Sequence, residues 1–169
     1  RYQYGTNLAF QWYGFDFNIF FQGIGHIDWY PGREAQAFWG YYNRPYGTFI
    51  PKDFQKLCWS EDNPNAYFPR PRTAVALTEN SELSTVNDRY LQNIGYCRLK
   101  NLTIGYSLPK FLTNKIGLDL VRLYFSGENL AYWSPIKTDY VDPEQARQGG
   151  TLKVYPWQKS FTFGVNINF

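Results

Sequence analysis

The stretch from Ser160 to Phe169 alternates without a miss. Phe161, Phe163, Val165, Ile167 and Phe169 fall in one phase, and Ser160, Thr162, Gly164, Asn166 and Asn168 in the other. A period of two places the first set on one face of an extended strand and the second on the opposite face. The apolar set runs through to Phe169 itself. Such a strand needs an apolar surrounding on one side and a polar one on the other.

The scheme recurs upstream. Over about 2–12, Tyr2, Tyr4, Leu8, Phe10 and Trp12 share one face, with Gln3, Gly5, Asn7, Ala9 and Gln11 on the other. Tyr13-Gly14 reads as a tight reversal. Over about 15–25, Phe15, Phe17, Ile19 and Phe21 oppose Asp16, Asn18 and Gln22, with Phe20 the one large exception. A segment at about 119–130 sets Val121, Leu123 and Phe125 against Arg122, Tyr124, Ser126 and Glu128. Over about 96–107, Cys97 and Leu99 are in one phase and Leu102, Ile104 and Tyr106 in the other, which predicts a bulge near Asn101. With the closing stretch at about 159–169, the chain reads as five antiparallel strands.

A soluble carbohydrate-binding β-sandwich also alternates, so three further features decide. The apolar faces end in aromatics (Tyr2, Trp12, Phe15, Phe161, Phe169), as in the girdles of membrane barrels. The opposite faces carry Gln, Asn, Asp, Arg and Glu, which suits a wet lumen better than a second packed sheet. Each strand has ~10 residues, enough to cross the hydrocarbon when tilted by about 45°. The connections also sort by length: Tyr13-Gly14 and 108–118 are short, about 26–94 and 131–157 long. Short periplasmic turns and long extracellular loops are the asymmetry of outer-membrane barrels, and this puts the C-terminus on the periplasmic side. The fold class expected is therefore all-β, a transmembrane antiparallel β-barrel. Five strands cannot close one, and two open edges beside an aromatic lipid face invite aggregation. Further strands are expected from sequence outside this chain.

Composition agrees. Aromatics make up 21% of the residues against 18% charged, more rings than a core of this size needs. No run approaches the ~18–20 apolar residues of a membrane helix. The negative mean hydropathy does not count against a barrel, because alternating faces cancel. A net charge of +3, scattered along the chain, gives no reason to expect a nucleic-acid partner. Cys58 and Cys97 fit neither a zinc site nor a disulfide scaffold; two unpaired thiols are expected rather than one disulfide.

The order of several motifs resembles the SusC/RagA-type TonB-linked (TonB-dependent) outer-membrane transporters, in the C-terminal portion of their barrel. The matching stretches are Tyr4-Gly5-Thr6-Asn7-Leu8 with Gly14-Phe15-Asp16-Phe17, and Phe20-Phe21-Gln22-Gly23-Ile24-Gly25 leading to Asp28-Trp29-Tyr30-Pro31. Trp59-Ser60-Glu61-Asp62-Asn63-Pro64-Asn65-Ala66 and Arg98-Leu99-Lys100-Asn101-Leu102-Thr103-Ile104-Gly105-Tyr106-Ser107-Leu108-Pro109 follow. Leu123-Tyr124-Phe125-Ser126-Gly127-Glu128-Asn129-Leu130 and Tyr155-Pro156-Trp157-Gln158-Lys159-Ser160-Phe161-Thr162-Phe163-Gly164 complete the set. The resemblance implies that residues 1–169 are the last five strands of a 22-stranded barrel with a plugged lumen, the plug lying outside this chain. It implies bacterial outer-membrane localisation and import of a glycan or peptide, with a SusD-like surface lipoprotein as lid. It also implies a TonB complex acting through the plug region.

Candidate residues follow from both readings. Trp29, Tyr30, Trp39, Tyr41, Tyr42, Tyr46 and Trp59 in the long loop are candidates for substrate or lid contact, since flat rings with a polar edge stack on sugars and anchor interfaces. The alternative for each is packing of the loop on itself. Asp16, Asn18, Gln22, Arg122 and Glu128 are expected to face the lumen. Phe161, Phe163, Val165, Ile167 and Phe169 resemble the signal read by the outer-membrane assembly machinery. No catalytic residue, metal site or cofactor is expected. His26, the sole histidine, has no nucleophile nearby to activate, and the spacing of Asp139, Asp142 and Glu144 lacks the pattern of a calcium loop.

Overall fold

A computed structural model describes residues 2–43, 50–72, 74–147, 155 and 157–169. The chain divides into a sheet unit (Arg1–His26, Gly95–Ser134 and Pro156–Phe169) and a loop unit (Ile27–Ile94 and Pro135–Tyr155).

The sheet unit contains β1 (Gln3–Trp12), β2 (Phe15–Ile24), β5 (Tyr96–Ser107), β6 (Leu120–Trp133) and β7 (Ser160–Asn168), hydrogen-bonded in that order and antiparallel throughout. Tyr13 (φ 45°) and Gly14 (φ 85°) turn β1 into β2. Two successive left-handed residues make the primed turn whose twist matches a hairpin, and glycine takes the second without strain. The register then lines up whole rungs by character. Trp12, Phe15, Tyr106, Leu123 and Val165 form one, and Phe10, Phe17, Ile104, Phe125 and Phe163 the next. Ring pairs lock the rungs sideways: Phe10 stacks on Phe17 at 4.6 Å between centroids, Phe15 meets Tyr106 at 4.6 Å, and Phe125 meets Phe163 at 5.1 Å.

The phase change in β5 is a bulge at Lys100. Leu99 pairs with Phe21 and Ala131, whereas Asn101 pairs with Phe20 and Glu128, so Lys100 is skipped and Asn129-Leu130 is looped opposite it. Asn129 takes φ 52° to do so. The bulge restores Cys97 and Leu99 to the same face as Leu102 and Ile104. It also lets β6 run on to Trp133, three residues beyond the extent that alternation suggested, because Ala131 to Trp133 pair with Leu99 to Cys97.

The connection from β5 to β6 is more than a link. Pro109 enters α2 (Lys110–Thr113), a 3₁₀ turn follows (Asn114–Ile116), and Gly117 at φ 71° ends it. The strand topology puts this hook, the Tyr13-Gly14 turn and Phe169 at one end of the sheet. The ends of β2, β5, β6 and β7 that lead to the long connections lie at the other.

The loop unit holds a two-stranded ladder, β3 (Asp28–Trp29) with β4 (Gln92–Asn93), the short helix α1 (Gln36–Trp39) and several 3₁₀ turns. Sequence gave no hint of these helical turns. They enclose a core of Phe38, Trp39, Tyr42, Phe54, Phe68 and Ile94, each at 0–2% exposure. No helix among the described residues is long and apolar enough to cross a membrane.

Candidate functional site

The polar face of the sheet brings together all five residues expected there. Asp16 and Arg122 stand on β2 and β6, with β5 between them. Arg122 nonetheless reaches Asp16 with both arms of its guanidinium, Nε donating to Oδ1 at 2.8 Å and a terminal nitrogen donating to Oδ2 at 2.5 Å. It passes over Gly105, which pairs with both Asp16 and Tyr124. A Cβ on Gly105 would collide with Asp16 and with the Arg122 guanidinium. The guanidinium also lies 5.4 Å from the Tyr124 ring centre. A bidentate pair of this kind fixes direction as well as distance. Next along the face, Asn18 shares a rung with Thr103 and Ser126, whose hydroxyls are 3.1 Å apart. Glu128 accepts from the Ser160 hydroxyl at 3.1 Å, and Gln22 is paired with Arg98. The five residues thus share one polar face of the sheet. His26 is exposed beyond the end of β2.

The loop unit sorts the aromatic candidates. Trp39 and Tyr42 have no exposed surface. Trp39 meets Phe38 edge-on at 4.9 Å and Tyr90 at 5.3 Å, while its indole N–H donates to the Gly32 carbonyl at 3.0 Å. Tyr42 meets both Phe54 and Phe68, which stack on each other, and its hydroxyl donates to the Pro69 carbonyl. Trp29, Tyr30, Tyr41 and Trp59 are half-buried. Tyr30 accepts from Asn87 Nδ2 at 3.0 Å, and its hydroxyl lies 3.0 and 2.9 Å from the carbonyls of Leu83 and Thr85. Trp29 packs edge-on against Phe38, and Tyr41 against Phe54. Trp59 carries the Arg70 guanidinium at 4.7 Å from its ring centre. Tyr46 lies outside the described residues.

Burial sets the chemistry of this core. It pushes the Tyr42 and Tyr67 hydroxyls and the Cys58 thiol up, and raises Tyr90 to about 12. All stay neutral at physiological pH, which suits a scaffold rather than a reacting centre. Cys58 and Cys97 are both free thiols. Asp142 serves as a turn cap, its Oδ1 accepting from the Glu144 amide at 2.9 Å, and no cluster fit to hold a metal occurs among the described residues.

Sequence reasoning missed one concavity of the loop unit. A cleft of about 380 Å³ opens between the 53–57 and 136–140 segments, with Asp53, Lys56, Lys137, Asp139 and Tyr140 around it. Its volume is at the lower end of small-molecule sites. Nothing in the linear pattern joins segments so far apart.

No family model matches the sequence. Over 180 residues it is 33% identical to the TonB-dependent receptor P3 of Formosa agariphila, a match taking in 98% of this chain and 16% of that relative. Along nearly its whole length the chain is thus similar to a segment of a TonB-dependent receptor. The fold is also that of the corresponding part of the RagAB peptide importer. The open-open state matches with a TM-score of 0.61 at 23% identity over 99% of this chain and 17% of that one. The closed-closed state matches with a TM-score of 0.63 at the same identity and coverage. The chain thus spans about a sixth of the length of the relatives it matches. Since the structural likeness covers nearly the whole chain, it takes in the loop unit as well as the sheet.

Proposed function

We propose that this chain supplies the last five strands of a plugged, 22-stranded outer-membrane barrel, and that the whole protein imports a nutrient in a TonB-dependent manner. One observation carries the membrane reading. The apolar face is open even on strands flanked by others, with Phe15 on β2 and Leu123 on β6 at 40% and 47% exposure, and Trp12 and Phe163 on the outer strands at 65% and 79%. A soluble sandwich would bury that face under a second sheet, whereas lipid would cover it in a barrel. The polar rungs, knitted by Arg122 and Asp16, then face the lumen with Asn18, Gln22 and Glu128, where they hydrogen-bond the plug. The hook and Phe169 lie on the periplasmic side, and Phe161 to Phe169 present the assembly signal.

The loop unit is extracellular in this reading and meets a SusD-like lipoprotein. Among the aromatic candidates, Trp29, Tyr30, Tyr41 and Trp59 have surface to offer lid or solute, and Tyr46 is proposed with them. The solute is a glycan or a peptide; the likeness to the RagAB peptide importer supports the peptide class. No enzymatic step is assigned.

The test uses the full-length transporter in its own outer membrane, with labelled oligosaccharides and oligopeptides offered in turn. Uptake of one class should vanish when TonB is removed and when the transporter gene is deleted. Uptake unaffected by TonB loss, or recovery of the full-length protein in the aqueous fraction, would sink the proposal.

A further inference from the structure

The hook between β5 and β6 exposes three apolar side chains that no strand needs. Phe111 is 67% exposed, Leu112 42% and Ile116 66%. Lys110 and Lys115 alternate with them in sequence and are exposed too. Only Thr113 of the hook is buried. Open barrel edges do not account for this, because β2 and β7 flank β5 and β6 within the chain. Neighbouring strands from outside the chain would extend the sheet beyond β1 and β7, not beside the hook.

The same end of the sheet carries further exposed apolar residues. Trp12 and Tyr13 stand at the β1–β2 turn at 65% and 87%, and Phe169 at 91%. Trp12 and Tyr13 meet edge to face, their ring centres 5.3 Å apart. The hook therefore shares its end of the sheet with exposed rings of the apolar rungs. Aromatic and aliphatic groups interleaved with lysine suit the headgroup layer, where the rings enter the acyl boundary and the ammonium groups stay with phosphate.

We infer that the hook is an interfacial anchor, in which Phe111, Leu112 and Ile116 enter the headgroup region of the adjacent phospholipid leaflet while Lys110 and Lys115 bind its phosphates. The inference rests on the barrel reading, which supplies the membrane. Its competitor is a docking site for a protein segment such as the plug.

The experiment places the photo-crosslinker p-benzoylphenylalanine singly at Phe111, Ile116, Asn114 and Phe163 of the full-length transporter. The protein is reconstituted in vesicles of phosphatidylethanolamine and phosphatidylglycerol, with heat-modifiable gel migration confirming a folded barrel. Lipid adducts are expected at 111 and 116 in yields comparable to 163, and several-fold lower at 114. Adding Lys110→Glu and Lys115→Glu should lower the yield at 111 several-fold. Adducts at 163 with none at 111 or 116, or protein crosslinks at those positions, overturn the anchor and leave the barrel standing. No lipid adduct at 163 overturns the barrel reading and the anchor with it.

Discussion

The two units of this chain are built for different solvents. Of the buried apolar residues among those described, only Ile24 and Tyr96 belong to the sheet unit; the rest lie in the loop unit. Exposed large apolar residues distribute the other way. Val75, Val86 and Tyr155 are those of the loop unit, while the rest belong to the sheet unit. The loop unit closes over its own core and would be at ease in water. The sheet has regular hydrogen bonding and ring stacking but no core of its own, so its apolar face must be satisfied by something outside the chain. The same aromatic richness thus serves internal packing in one region and an external apolar medium in the other.

The largest expected effect breaks the loop unit alone. Trp39→Ala removes a fully buried indole with an N–H bond to Gly32, and such truncations cost about 3–5 kcal/mol. In the full-length protein the loop should become protease-sensitive while the heat-modifiable migration that the proposed barrel predicts is kept. Loss of both together would mean that the regions do not have separate cores.

Next comes the sheet. Phe163→Arg, mid-strand on the apolar face, should cost roughly 2–4 kcal/mol in a bilayer. Thr162→Arg, one residue away on the polar face, should cost much less. Unfolding in urea from lipid vesicles measures the difference. Equal penalties would argue that neither face meets lipid.

A third effect separates the units by pH. Tyr90 is buried and its hydroxyl is raised from 10.0 to about 12. Below pH 10 both folded and unfolded forms are protonated, and the contribution to stability is fully present. Above it the unfolded chain ionises first, so stability falls until the folded hydroxyl also ionises near 12. The loss is on the order of 2–3 kcal/mol at most. Protease sensitivity of the loop should rise between pH 10 and 12 and do so less in Tyr90→Phe; an unchanged profile would mean that Tyr90 does not drive it.

How much of this was legible differs along the chain. The rungs were, because a half-buried strand writes its faces into a period of two; even the bulge left a trace in the phase change between Leu99 and Leu102. The Arg122–Asp16 pair was legible only as two inward charges. Their contact depends on the register of three strands and on Gly105 being bare, and neither is local information. The hook at 110–117 carried a weak signal, Pro109 before a short helical run and Gly117 after it. The loop aromatics were the least readable. Trp39 and Trp59 look alike in sequence, yet one is sealed in the core and the other lies half-exposed under Arg70. Burial in an irregular loop is decided by contacts far apart in the chain, which have no period to betray them.

Gly105→Ala sharpens the comparison from the sheet side. The added methyl meets Asp16 and Arg122, so the bidentate pair should separate at a cost of about 1–2 kcal/mol, an overpacking penalty eased by partial exposure. Measured by urea unfolding in vesicles, this cost should shrink when Arg122→Ala is combined with it. Simple additivity of the two would show that the glycine matters for another reason.

The smallest effect concerns the cleft of the loop unit. Lys56 and Asp53 are 2.7 Å apart, but their side chains are 80% and 72% exposed. Exposed pairs at this spacing add little, since water screens them and ordering two side chains costs entropy. Lys56→Ala should therefore leave the protease resistance of the loop unchanged, in contrast to Trp39→Ala. If uptake or lid binding nevertheless falls in this variant, the cleft is a contact site, because a change that spares the scaffold has altered what it presents. If neither changes, the recognition surface must be sought instead among Trp29, Tyr30, Tyr41 and Trp59, where half-buried rings are held in place by the same core that Trp39 maintains.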